Sequence, residues 1–115
     1  MGKTQILGRE AEDRAESMLS RAGLRTIVRN YHCRSGEIDL VMRDGEHLVF
    51  VEVRFRSSRG FGSAAASVDA DKQRRLILAA QHYLLQSRWQ GPCRFDVVTF
   101  DHGRGEHWIR DAFGA

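Results

Sequence analysis

Glu37, Asp39 and Glu52, with Arg54 and Arg56, lie in and beside two otherwise apolar runs in the stretch SGEIDLVMRDGEHLVFVEVRFR, from Ser35 to Arg56. Carboxylates that converge in an apolar setting repel one another and lose hydration, so keeping all of them ionised is costly. A hard divalent cation relieves both costs, and Mg²⁺ commonly takes one or two carboxylates together with water and substrate phosphates. One or two such ions activate water for phosphodiester hydrolysis. Arg54, two residues past Glu52 on the same strand face, then sits where a phosphate or a transition state needs a cation. The rival reading is a solvated acidic face with Arg54 and Arg56 as its ion-pair partners, since short acidic and basic patterns recur by chance.

Positioning these groups requires a hairpin. Ile38 to Met42 and Leu48 to Phe55 are rich in β-branched and apolar residues and are separated by Asp44-Gly45, a strong short-range hairpin signal. Alternation puts Glu37, Asp39 and Val41 on one face of the first strand, and Leu48, Phe50, Glu52 and Arg54 on one face of the second. With Asp44-Gly45 at the centre of the turn, Arg43 pairs with Glu46, Val41 with Leu48, Asp39 with Phe50 and Glu37 with Glu52. Asp39 is then a diagonal neighbour of Glu52, roughly 7–8 Å away between backbones. Ile38, Leu40, Met42, Val49, Val51, Val53 and Phe55 make the other face wholly apolar, so the hairpin is expected to be buried on both sides.

Gly36-Glu37-Ile38-Asp39-Leu40-Val41, Phe50-Val51-Glu52-Val53-Arg54-Phe55-Arg56 and Arg94-Phe95-Asp96-Val97-Val98 resemble, in order, the signature blocks of the YraN-like family of small, uncharacterised bacterial proteins. That family is similar to the restriction-endonuclease-like PD-(D/E)xK group, which includes archaeal Holliday-junction resolvases. The resemblance runs from about Gly8 to Asp111. It implies a nuclease-type α/β fold, with Asp39, Glu52 and Arg54 as catalytic residues and Asp39, Glu52 and Glu10 as ligands of Mg²⁺ or Mn²⁺. It also implies a homodimer, because a junction presents symmetric cleavage points. Ile38 stands where the motif has Pro. Arg54 stands where it has Lys, and a guanidinium stays protonated and cannot act as a general base.

The rest of the chain supplies the scaffold. At 115 residues, 42% hydrophobic and 29% charged, the composition is that of one soluble globular domain. The N-terminus lacks a signal-peptide apolar region and no apolar run is long enough to span a bilayer, so a cytoplasmic protein is expected. Cys33 and Cys93 are too few for a disulfide scaffold and too far apart for a CxxC site, and the five histidines show no ligand spacing. A net charge of +3 is compatible with nucleic acid without arguing for it.

Residues 1–6 read as a loose terminus. Leu7, Ala11, Ala15, Met18, Leu19 and Ala22 mark an amphipathic helix stopped by Gly23; Glu10 and Glu12 both flank its apolar stripe. A strand is expected over Leu24 to His32, making a three-stranded meander with the hairpin. Ser57 to Ser67 reads as a mobile loop, with Arg59 for phosphate and Phe61 for stacking. A second helix should run from Asp69, its N-cap, to Arg88. Lys72 and Arg75 in its first turns oppose the helix dipole and suit an external phosphate, and Arg56 joins them as a nucleic-acid contact. Phe95 to Phe100 reads as a strand, and Trp108 to Phe113 as a last short strand or cap. Asp96, inside an apolar run, needs a buried partner such as Arg94.

The order α-β-β-β-α-β-β predicts an α/β fold, a mixed sheet of about five strands flanked by two helices. The expected function is a metal-dependent, nuclease-like nucleic-acid-binding protein, acting on branched DNA or on recombination and repair intermediates. The alternatives are a non-catalytic nucleic-acid-binding module that retains the nuclease fold, or a protein-interaction domain.

Overall fold

The computed structural model describes residues 3–56, 67–101 and 104–114. They form α1 (Lys3–Arg21), β1 (Arg25–Cys33), β2 (Gly36–Asp44), β3 (His47–Arg56), α2 (Ala70–Ser87), β4 (Cys93–Asp101) and β5 (Arg104–Phe113), the order expected. The strands make one sheet in the order β1-β2-β3-β4-β5. β1, β2 and β3 are an antiparallel meander, β4 returns parallel to β3 after the α2 crossover, and β5 is antiparallel to β4.

Two clusters of apolar residues fix the layers. Ala11, Ala15 and Leu19 from α1 pack on Leu40, Met42, Val49, Val51, Val98 and Phe100. On the opposite face, Leu76, Ala79 and Ala80 from α2 pack on Val41, Leu48, Phe50, Phe95 and Val97. The β2–β3 hairpin is therefore buried on both sides, as its near-continuous apolar runs require. Ile38 departs from the expected alternation and joins the α2 cluster rather than the α1 side.

The helix ends follow local rules. α1 stops because Gly23 takes φ 103°. Gly23 N–H then bonds Ser20 carbonyl at 3.0 Å and Leu24 N–H bonds Leu19 carbonyl at 3.0 Å, a Schellman pair. α1 starts at Lys3, four residues before the expected Leu7, and residues 1–2 of the expected loose terminus lie outside the described residues. α2 is capped by Asp69, whose carboxylate accepts Lys72 N–H at 2.8 Å, and ends at Arg88 in the left-handed region. No helix among the described residues is long and apolar enough to cross a membrane.

The hairpin register needs correction. Asp44 pairs with His47, Met42 with Val49 and Leu40 with Val51, which puts Gly45-Glu46 at the turn centre rather than Asp44-Gly45. Gly45 carries φ 59° and Glu46 is not left-handed, as in turns with glycine at the first central position. Moving the turn by one residue slides β3 by two against β2. Faces are kept under such a slide and only partners change.

Candidate nuclease-like site

The β2–β3 ladder ends at Leu40–Val51. One further step of that register would set Asp39 against Glu52, but here the strands separate and Asp39 Oδ2 instead accepts Val53 N–H at 2.8 Å. Glu52, on a strand covered by both helices, is 5% exposed. Burial first, then the charge of Glu52, pushes the Asp39 carboxyl up to about 7, against the relief given by Val53 N–H and Lys72. A hydrogen bond between the Asp39 and Glu52 side chains acts in the same direction, favouring the protonated form.

Two cations converge on the same oxygen. Arg54 Nη1 lies 3.3 Å from Glu52 Oε2, and Lys72 Nζ, from the first turn of α2, lies 3.6 Å from it. Arg54 reaches back along its own strand, whereas Lys72 is delivered across the sheet face by the Asp69 cap that fixes the start of α2.

Glu10, the metal ligand implied by the resemblance, is exposed, and no hydrogen bond or ion pair joins it to Asp39 or Glu52 among the described residues. The helix carboxylate that reaches the pair electrostatically is Glu12. Its pKa is raised by burial first and by Asp39 second, and Arg29 and a hydrogen bond to Asn30 offset part of this. At about 100° per residue, Glu12 lies about 60° from the centre of the Ala11, Ala15 and Leu19 stripe and Glu10 about 140°, a signal present in the periodicity. Asn30, which falls beside Asp39 in the β1–β2 ladder, is itself left-handed at φ 53°, a conformation that concentrates at working sites.

The other candidates divide. Glu37 does not face Glu52; it is exposed, pairs with β1, and its carboxylate meets His32 Nδ1 at 3.1 Å. Arg56 is held by Asp101 in a two-pronged ion pair at 2.7 and 3.1 Å, a clamp between β3 and β4. Arg59 and Phe61 lie outside the described residues. Arg75 is exposed, makes no ion pair among the described residues, and with Lys72 lines a cavity of about 300 Å³. Thr99, paired with Arg54 in the parallel ladder, has a buried hydroxyl without a hydrogen bond among the described residues. Its small, strand-typical side chain gave no warning of that.

Among the described residues no group of three His, Cys, Asp or Glu side chains is close enough to hold a metal ion. The hard oxygens on hand are those of Asp39 and Glu52. They fit an ion such as Mg²⁺ that completes its shell with water and a substrate phosphate, and they do not fit a closed, all-protein site.

The comparisons with known proteins concern the whole fold. The chain is similar to a UPF0102 protein of Cupriavidus necator, 60% identical over 112 residues, covering 96% of this chain and 84% of that protein. It is similar also to one of Dechloromonas aromatica, 56% identical over 112 residues (97% and 92%), and to one of Saccharophagus degradans, 51% identical over 115 residues (98% and 97%). Residues 11–100, a span that includes Glu12 and leaves out Glu10, match the same family. The chain belongs to the uncharacterised protein family UPF0102, the YraN-like family.

Proposed function

We propose that the protein is a divalent-metal-dependent nuclease-like protein acting on DNA, with branched or recombination intermediates as its substrate class. The observation that carries this reading is the Asp39–Glu52 pair: two carboxyls crowded where the strands part, one of them protonated up to about pH 7, with two cations drawn to the same oxygen. A fold gains nothing from that repulsion, whereas a phosphate-bound cation would neutralise it. A Mg²⁺ ion held by Asp39 and Glu52 would supply Lewis-acid polarisation of a phosphate and would lower the pKa of a water bound to it.

The chain's own residues do the rest. Asp39 gives up its proton when a cation takes its place, while Val53 N–H keeps the carboxylate oriented. Arg54 and Lys72 are pre-positioned by Glu52 to meet the charge on the phosphate. Arg54 stays protonated and cannot act as a general base, so its part in this reading, like that of Lys72, is electrostatic.

A second reading, nucleic-acid binding without turnover, draws on the small donor set, since two carboxylates already attended by Arg54 and Lys72 could serve only to hold the cations in place. Labelled duplex, single-stranded and four-way-junction DNA incubated with Mg²⁺ or Mn²⁺ separates the two. Cleavage by the wild type that disappears in Asp39→Asn is expected; salt-sensitive binding with no cleavage in either ion moves the conclusion to the second reading.

A further inference from the structure

Beside the acid pair, the cavity of about 300 Å³ lies between the β1–β2 turn and the start of α2, with His32, Gly36, Glu37, Lys72 and Arg75 on its walls. Ligand clefts of this size are usually apolar with a few polar groups; this one is lined chiefly by charged and polar side chains. Its one carboxylate, Glu37, is engaged by His32. Lys72 is shared with Glu52, and Arg75 is exposed and makes no ion pair among the described residues. A Cβ at Gly36 would meet the Arg75 carbonyl oxygen at 3.2 Å and its Cβ at 3.4 Å. The turn thus approaches the helix as closely as glycine allows, and seats Arg75 at the cavity wall.

We infer that this cavity is a second phosphate subsite, taking a non-scissile phosphate of the nucleic acid whose scissile phosphate reaches Asp39 and Glu52. The inference rests on the nuclease-like reading and extends it. Lys72 stands between the two positions, so a chain entering the cavity passes within reach of Glu52. Arg75 supplies the planar donor fork that suits phosphate oxygens. The phosphate could be internal to a strand or could terminate one, and the chemistry is the same.

The test is fluorescence anisotropy of labelled short duplex and single-stranded DNA, in EDTA so that binding is read without hydrolysis, with the full chain. Arg75→Gln should weaken binding at low salt by about fivefold or more and make the slope of log affinity against log salt shallower by about one. Arg75→Lys should restore most of that slope. Arg88→Gln, which removes the same charge from the far end of α2, should leave affinity close to wild type. Comparing oligonucleotides with 5′-phosphate and 5′-hydroxyl ends identifies the source: a preference for the phosphate that vanishes in Arg75→Gln marks a terminal group, and equal binding of both marks an internal one.

Equal effects of the Arg75 and Arg88 substitutions, no effect of Arg75→Gln, or no binding by the wild type would each overturn the subsite. An Arg75 effect that persists while the wild type cleaves nothing leaves the subsite standing and removes hydrolysis. Metal-dependent cleavage with unchanged binding in Arg75→Gln does the reverse.

Discussion

Asp96 and Glu52 are buried carboxylates on adjacent strands, yet their surroundings are opposite. Asp96 is fully buried and answered on every side: by Arg94 Nε at 2.9 Å and Nη2 at 3.2 Å, by Trp108 Nε1 at 2.9 Å, and by Asp111 N–H at 3.0 Å. Arg94 also reaches Asp44 at 3.0 Å, tying the hairpin turn to β4. Asp111 adopts φ 51° where its N–H serves the network, a strain that the network offsets. Glu52 has instead a second carboxyl beside it, and both of its cations, Arg54 and Lys72, are partly exposed side chains. A satisfied buried carboxylate stabilises a fold; a crowded one is tolerated for what it can bind.

The sharpest break of this contrast is Asp96→Ala. It leaves an indole N–H and a backbone N–H without their acceptor and the Arg94 guanidinium with Asp44 alone, and should cost about 3–5 kcal/mol, read as a lower urea midpoint at unchanged slope. A loss below about 1 kcal/mol would mean that the network is not structural.

Asp39→Asn should act in the opposite sense. The folded carboxyl titrates at about 7, above its reference value of 3.8, so between these values the folded state binds more protons than the unfolded one and stability falls as pH rises. The contribution is intact below about pH 4 and is gone above about pH 7. Asparagine can still accept Val53 N–H and can donate to Glu52, without the charge. The variant should therefore be more stable than wild type at pH 8 by about 1–2 kcal/mol and lose that advantage at pH 5. Mg²⁺ should raise the melting temperature of the wild type at pH 8 and leave that of Asp39→Asn unchanged. A variant less stable than wild type at pH 8 would place Asp39 with Asp96 as a structural acid.

The element order was legible because each element carries its own local signal: the Asp69 cap, the stop at Gly23, and β-branched runs whose length and punctuation mark strands. Asp96 was legible as well, since a carboxylate inside an apolar run demands a partner and Arg94 is two residues away. The register was not. Asp44-Gly45 and Gly45-Glu46 are both acceptable turn centres, and the choice between them depends on the backbone twist that the whole sheet imposes on Gly45. That single step decides whether Glu37 or Asp39 approaches Glu52. Lys72 and Arg75 were legible as basic residues on a helix start, but their placement beside Glu52 and the β1–β2 turn depends on how α2 packs over a sheet whose strands are distant in sequence.

The smallest expected effect separates Glu12 from Glu10 and bears on which acids belong to the site. Glu12 is partly neutralised by Arg29, but at 3.7 Å it is the most distant of the carboxylates that Arg29 serves, with Asp13 at 2.9 Å and Glu16 at 3.2 Å. Its charge is therefore felt at Asp39, where it would help to draw a cation without ligating it. Glu12→Gln should weaken Mn²⁺ binding, measured by calorimetry, by about tenfold, the low end of what groups beyond the ligands contribute. Glu10→Gln, changing an exposed residue on the far side of the helix, should leave it unaltered. Equal losses in both would mean that the helix acts through its net charge alone, and a loss confined to Glu10→Gln would require α1 to rotate by roughly half a turn when the ion binds, carrying the Ala11, Ala15 and Leu19 stripe off the sheet.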